Sequence, residues 1–277
     1  MQKTEVMRTV IKPTEGWVAL RLDELWQYRE LLYFLTWRDI KVRYKQTLLG
    51  AIWAVLQPIM TMVVFTIIFG KFGNISSDGF PYPVFAYVGL LPWQLFAYSL
   101  SESGNSLVAS QNLITKVYFP RLVIPIAPVL AGLADFTISF SVLIVLMLYY
   151  GIVPGISIVT LPLFILLAVS SSVAAGLWLS ALNVKYRDVR YTIPFLMQIW
   201  LYLTPVAYPA SMVPEKYRLF YALNPMTGVV EGFRWALLGK QPTSPLMWLV
   251  SMTVVALMLV GGLFYFRRME KTFADVV

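Results

Sequence analysis

The 277-residue chain contains no cysteine and no histidine. Without cysteine there are no disulfides, no zinc–thiolate sites and no thiol nucleophile. Without histidine, the commonest general base and the commonest metal ligand are missing. Charge is scarce too. Asp, Glu, Lys and Arg make up 13% of the chain, about half the share in an ordinary globular domain. A soluble surface needs more charge than this to stay dispersed. A phosphate-binding loop is also lacking. Gly70-Lys71 and Gly239-Lys240 have neither the upstream glycine spacing nor the following Ser or Thr that cradle a nucleotide. The chain is not expected to be an enzyme, to bind a metal, or to hold a cofactor of its own. Residues 1–40 carry charges throughout and no apolar core segment, so no cleavable signal peptide is expected.

What the chain does have is long apolar runs. Apolar residues make up 58% of it. A helix needs about 20 such residues to cross a bilayer. Residues 46–70 and 79–101 are free of charge, and 122–150 has one acid, Asp135. Residues 136–184 are uncharged and too long for one crossing, so Gly151, Pro154 and Gly155 are read as a tight hairpin. The fold class expected is an all-α integral membrane protein with six transmembrane helices. They fall at about 46–70, 84–101, 122–150, 157–182, 191–207 and 245–266. Residues 1–45 form a cytoplasmic N-terminal segment, 46–266 the transmembrane domain and 267–277 a cytoplasmic tail.

The net charge of +8 fits basic cytoplasmic loops better than nucleic-acid binding. Lys and Arg gather before residue 46, around Lys116 and Arg121, around Lys185, Arg187 and Arg190, and after residue 266. The other side holds Lys71, Lys216, Arg218, Arg234 and Lys240. This bias places both termini in the cytoplasm.

Three segments stand out. Before the first span, Asp23, Gln27, Glu30, Arg38, Lys41 and Lys45 fall on one helical face, interrupted by Phe34. Leu22, Leu25, Trp26, Leu32 and Leu35 supply much of the other. Acids at the start and bases at the end suit the helix dipole. Such a helix lies in the membrane interface, as an anchor or as a docking surface. After the second span, Asn112 to Arg121 mixes Leu113, Ile114, Val117, Tyr118 and Phe119 with two basic residues. Asn112 can cap a short helix there, and Pro120 would end it near Phe119. It either packs on lipid or fills a partner's groove. Before the last span, Met226 to Leu238 is too short to cross and fits a re-entrant or interfacial helix. Asn224-Pro225 marks its start and Gly239 its C-cap. Glu231 and Arg234 lie three apart with opposite sign, and pair with each other or with other groups near an outer gate.

Asp135 is the one acid placed well inside a span. Carrying a charged Asp there costs roughly 2.5–3.5 kcal/mol on insertion scales. It is a functional candidate, or a protonated side chain bonded to Thr137, Ser139 or a neighbouring helix. A proton-coupled carrier could use it, but the internal repeat common in such carriers is absent from the sequence. Ser172, Gly176 and Ser180 form a small-residue stripe for close helix approach, within the chain or across a dimer. Trp93, Phe96, Tyr98, Trp178, Trp200 and Tyr202 suit either an interfacial belt or a path for sugars.

The run Trp37-Arg-Asp-Ile-Lys-Val-Arg-Tyr-Lys-Gln-Thr-Leu-Leu-Gly-Ala-Ile-Trp-Ala-Val-Leu-Gln-Pro58 resembles the N-terminal signature of type-2 ABC permeases that export polysaccharide. So does Asn224-Pro-Met-Thr-Gly-Val-Val-Glu-Gly-Phe-Arg-Trp-Ala-Leu-Leu-Gly239, and so do the loops Ile114–Arg121 and Asn183–Arg190. The likeness covers nearly the whole chain and is nearest to O-antigen export permeases, with capsule and teichoic acid exporters as alternatives. A type-2 drug or lipid exporter is a more distant one.

The resemblance implies a homodimer in the inner membrane with a channel at the subunit interface. Two copies of a separate ABC ATPase would carry ATP and magnesium, and the cargo would be polysaccharide on a polyprenyl-diphosphate lipid. Ile114, Thr115, Lys116, Val117, Tyr118, Phe119 and Arg121 match the coupling helix, with Lys185 and Arg187 in the next internal loop. Leu22 to Trp37 matches an interface helix that also touches the ATPase. Tyr208 to Gly239 matches re-entrant helices of an outer gate, where Glu231 and Arg234 lie. Arg38, Lys41, Arg43 and Lys45 are candidates for the lipid diphosphate at the cytoplasmic entrance, where Arg bonds phosphate well, or are simple positive-inside anchors.

Overall fold

A computed structural model of the chain describes residues 22–45, 50–239, 244–271 and 273. The described residues are helical, with no strand among them. Two short helical pieces come first, α1 (Leu22–Gln27) and α2 (Arg29–Lys45). The expected start of the first span at Gln46, and Lys240 beyond the Gly239 cap, lie outside the described residues.

Among the described residues, five helical stretches are long and apolar enough to cross a membrane. The first is α3 (Gly50–Phe65), continued by a π-helical turn over Thr66–Phe72. The second, α4 (Tyr82–Ala109), runs well past the expected end at 101. A short α5 (Gln111–Lys116) follows, then α6 (Val123–Tyr149). The hairpin divides the long uncharged stretch as expected. Gly151 takes φ +67°, the Ile152 N–H donates to the Met147 carbonyl at 2.9 Å, and a 3-10 turn over Ile156–Thr160 leads into α7 (Leu161–Lys185). The last span is α11 (Pro245–Glu270).

The expected fifth span differs. In place of a helix over 191–207, α8 covers Val189–Tyr202. Its 14 residues reach about 21 Å, short of the roughly 30 Å hydrocarbon core. The reason is local. Pro205 has no N–H and disfavours helical geometry at Thr204. The chain instead turns through Leu203–Tyr208 into α9 (Glu215–Tyr221) and α10 (Pro225–Leu238). Asn224 joins these pieces. Its Oδ1 accepts the Met226 N–H at 3.0 Å and the Trp200 indole N–H at 2.8 Å, and its amide donates to Thr204 Oγ1 at 3.0 Å. Gly239 ends α10 at φ +68°, the left-handed cap expected of it.

Helix α4 is the centre of the bundle, packed against α3, α6, α7, α8 and α10. Its buried residues lie all round its first half, from Val84 to Trp93, as fits a helix enclosed by others. The small-residue stripe serves contacts within the chain. Ser172, Gly176 and Ser180 are buried, and a Cβ on Gly176 would run into the Ser103 side chain of α4. Pro58 inside α3 leaves the Ala54 carbonyl without its helical donor, and Ser139 Oγ on α6 donates to that carbonyl at 2.9 Å. The carbonyl freed in one span is thus tied to a neighbour.

At the end of the bundle that holds α5, Leu107, Ile114, Phe119, Leu122, Leu177 and Phe266 share one apolar cluster. Polar bonds reinforce it. The Arg121 backbone N–H donates to Glu270 Oε1 at 3.1 Å, and the Arg121 guanidinium donates to the Glu270 carbonyl. Arg267 pairs with Glu270 at 2.8 Å and with Glu24 of α1 at 3.6 Å.

Helix α2 is less one-sided than its sequence pattern suggests. Leu35 turns inward, while Phe34, Trp37 and Val42 are exposed. It lies along the start of α6, with Leu35 beside Val123 and Ala127 and Arg43 beside Asp135.

Candidate functional site

The site is a cavity of about 510 Å³ walled by α3, α4, α6 and α8, with Arg43 of α2 at its edge. Helix α3 contributes Trp53, Gln57 and Thr61; α4 contributes Trp93, Gln94, Tyr98, Ser101 and Glu102. Helix α6 adds Asp135 and Ser139, and α8 adds Met197. The wall combines aromatic rings with amides and hydroxyls. Its ionisable lining residues, among those described, are Arg43, Tyr98, Glu102 and Asp135.

Asp135 is neither isolated nor bonded to Thr137 or Ser139. Arg43 Nη2 lies 2.6 Å from its Oδ2, and the Tyr44 hydroxyl donates to Oδ1. The Thr137 hydroxyl instead donates to the Leu133 carbonyl at 2.8 Å. Arg43 also lies over the Tyr98 ring, 4.1 Å from its centre. Burial pushes this guanidinium's pKa down, but Asp135 and Tyr98 push it up, and the net direction is up. The arrangement binds α2, α4 and α6 together at one edge of the cavity.

The four basic residues proposed for the cytoplasmic entrance divide. Arg38 is engaged by its neighbour Asp39 at 2.8 Å, and Arg43 by Asp135. Lys41 sits over the Trp37 ring at 5.4 Å. Lys41 and Lys45 are in no ion pair recorded among the described residues.

The short helix after the second span begins one residue before Asn112, with Ser110 at its N-cap, and ends at Lys116 rather than near Phe119. Val117 is already extended. Ile114 and Phe119 are buried in this chain, whereas Val117 and Tyr118 are exposed. Thr115, Lys116, Lys185 and Arg187 are exposed.

Glu231 and Arg234 pair with each other at 3.1 Å, and Arg234 is fully buried. Its other bonds reach further. Nη2 donates to the Val206 carbonyl at 2.8 Å, Nη1 to the Tyr208 carbonyl at 3.4 Å, and the guanidinium lies 3.7 Å from the Phe85 ring centre. Gly89 of α4 makes the room, since a Cβ there would sit 3.0 Å from Arg234 Nη2.

Of the six aromatics singled out in the sequence, Trp93 and Tyr98 line the cavity. Phe96 and Trp200 pack edge to face at 5.0 Å, and Trp178 stacks on Tyr265 at 4.6 Å, so these three tryptophan and phenylalanine sites build the bundle. Tyr202 is exposed. Sequence reasoning missed Tyr44, Trp53, Gln57, Gln94 and Glu102. Glu102 escaped because the second span was ended at 101. It in fact lies on the continuous α4, so Asp135 is not alone among acids on the spanning helices.

The ABC-2 type transporter membrane model matches residues 30–238 of this chain. The chain belongs to the ABC-2 type transporter family. It is 33% identical over 251 residues to an O-antigen export system permease protein RfbA of Myxococcus xanthus, covering 89% of this chain and 96% of the relative. It is 30% identical to a protein of the same name from Klebsiella pneumoniae, covering 90% of this chain and 95% of the relative. A polysialic acid transport protein KpsM of Escherichia coli is 27% identical, with 84% and 91% covered. In this ABC-2 type chain, the matched region takes in every wall of the cavity and the Glu231–Arg234 pair.

Proposed function

We propose that the chain is the transmembrane subunit of an ATP-driven exporter that moves lipid-linked polysaccharide, O-antigen foremost, across the inner membrane. The observation that carries this reading is the cavity. Its rings offer apolar faces on which sugars stack, and Gln57, Gln94, Thr61 and Ser101 offer donors and acceptors for hydroxyls. The relatives named for O-antigen export support the same substrate class.

The remaining parts follow from that reading. The chain acts as a homodimer with both termini in the cytoplasm, and two copies of a separate ABC ATPase hydrolyse ATP with magnesium below it. The segment from α8 to Tyr208 serves as the fifth of six spans, with α9 and α10 as a re-entrant hairpin at the outer gate. The outward apolar face of α3, with Ile52, Leu56, Met60 and Val63 exposed, supports burial against lipid or the second copy. Val117 and Tyr118 meet the ATPase, with Thr115, Lys116, Lys185 and Arg187 around them. Ile114, Phe119 and Arg121 act from behind by holding that loop to α11. Lys41 and Lys45 are better placed than Arg38 and Arg43 to meet the lipid diphosphate, because both arginines are already paired with carboxylates. Asp135, being partnered, does not favour a proton-coupled carrier.

The test is a deletion strain. Loss of the chain should leave polymer in the cytoplasm, and a tagged copy should co-purify with an ABC ATPase. Normal surface polysaccharide without the chain would overturn the reading.

A further inference from the structure

The charge of the cavity selects among polysaccharides. Its charged lining residues, among those described, are one cation and two carboxylates: Arg43, Asp135 and Glu102. Arg43 is held by Asp135 at 2.6 Å and lies over Tyr98, so its charge is met before any cargo arrives. Glu102, exposed on the cavity side of α4, gives the described wall one carboxylate more than its single cation can offset, since Arg43 acts on both acids. The rest of the polar lining is neutral: Gln57, Thr61, Gln94, Tyr98, Ser101 and Ser139.

From this we infer that the chain carries an uncharged glycan and discriminates against polyanionic ones, with Glu102 and the closed Arg43–Asp135 pair as the residues that set the preference. The inference rests on the polysaccharide reading above and narrows its substrate class. A polymer that bears a carboxylate or phosphate on every repeat brings anion after anion past Glu102. Like charges brought together in a partly desolvated site are strongly unfavourable. Neutral sugars meet no such barrier. Their hydroxyls donate to the Glu102 carboxylate, and their ring faces stack on Trp53 and Trp93. The lipid diphosphate is a single anion at the end of the chain, and Lys41 and Lys45 lie outside the cavity wall to receive it. The preference therefore concerns the polymer and not its anchor.

The experiment uses the full chain in lipid nanodiscs. Binding of a fluorescently labelled neutral mannooligosaccharide and of a length-matched oligosialic acid is measured by equilibrium dialysis at low and at high salt. The neutral probe should bind at least about tenfold more tightly at low salt, with the ratio shrinking as salt screens the repulsion. Glu102→Gln should narrow the ratio by weakening the repulsion, and Glu102→Lys should bring it to unity or reverse it. Trp53→Ala should weaken the neutral probe and so place it in this cavity. Equal or tighter binding of the sialic acid probe to the native chain would overturn charge selection and leave the carbohydrate reading standing. An unchanged ratio in both Glu102 variants would also overturn it. Failure of both probes to bind would remove the carbohydrate reading, and this inference with it.

Discussion

Two ion pairs on spanning or near-spanning helices show how one chemistry serves two ends. On α10, in what is proposed as the outer side, Glu231 and Arg234 are sealed, with side-chain exposures of 5% and 0%. At the cavity, Arg43 and Asp135 retain 34% and 16%. The Arg234 guanidinium is enclosed by two backbone carbonyls, a carboxylate and the Phe85 ring, and is fully buried from any ligand. The inner one borders open space. The outer pair welds the segment after α8 to α4 and α10. The inner pair ties α2 to α6 while contributing to the cavity wall. Burial, and not residue type, separates a structural rivet from a wall of a functional site.

This contrast can be broken in graded steps. Arg234→Met takes the buried cation away from Glu231 and frees the Val206 and Tyr208 carbonyls. A cost of about 3–5 kcal/mol is expected, read as loss of folded protein in detergent and collapse of export. Survival of a folded Arg234→Met variant with normal melting would abolish the distinction. Gly89→Ala presses a methyl group against the Arg234 guanidinium and the Val206 backbone. About 1–3 kcal/mol of destabilisation is expected, seen as a lower melting temperature of the purified chain. A neutral result would show that the outer pair has slack.

Asp135→Asn at the inner pair should cost only about 1–2 kcal/mol, because the site is partly open. Folded yield should hold while export falls, and the exchange Arg43→Asp with Asp135→Arg should restore part of it. Collapse of folding would show that the inner pair is also a rivet. The mildest change lies outside both pairs. Tyr118→Ala removes an exposed ring, so stability should shift by no more than about 0.5 kcal/mol. Stimulation of the partner ATPase should nevertheless drop. Unchanged stimulation would remove Tyr118 from the docking surface.

Much of the architecture was legible in the residues. Charge-free runs located the five long helices, because lipid demands apolar side chains and internally bonded backbone. Gly151 and Gly239 announced their turns because each adopts positive φ. Three-residue spacing on one helix allowed Glu231 to pair with Arg234, one of two options open in the residues, and the pair forms. The cavity was far less legible. Trp53, Gln94 and Glu102 look ordinary along the chain, and only packing brings their helices around one space. Ending the second span at 101 was reasonable from composition, since Glu102 interrupts the apolar run. The fifth apolar run is not one helix throughout, because hydropathy continues through Leu203 and Val206 while the helix ends at Tyr202 ahead of Pro205.

The sequence by itself determined that the chain crosses a membrane, that it lacks any histidine, cysteine or nucleotide loop, and where most of its helices turn. Those properties depend on composition and local backbone preference, which need no partner in space. Only the tertiary structure decided that Asp135 is paired with Arg43, that Phe119 faces inward and Tyr118 outward, and that the described cavity wall holds Glu102 and Asp135 against the single cation Arg43. Electrostatic interaction and burial depend on distances between helices far apart in the chain, and these are fixed only when the bundle packs.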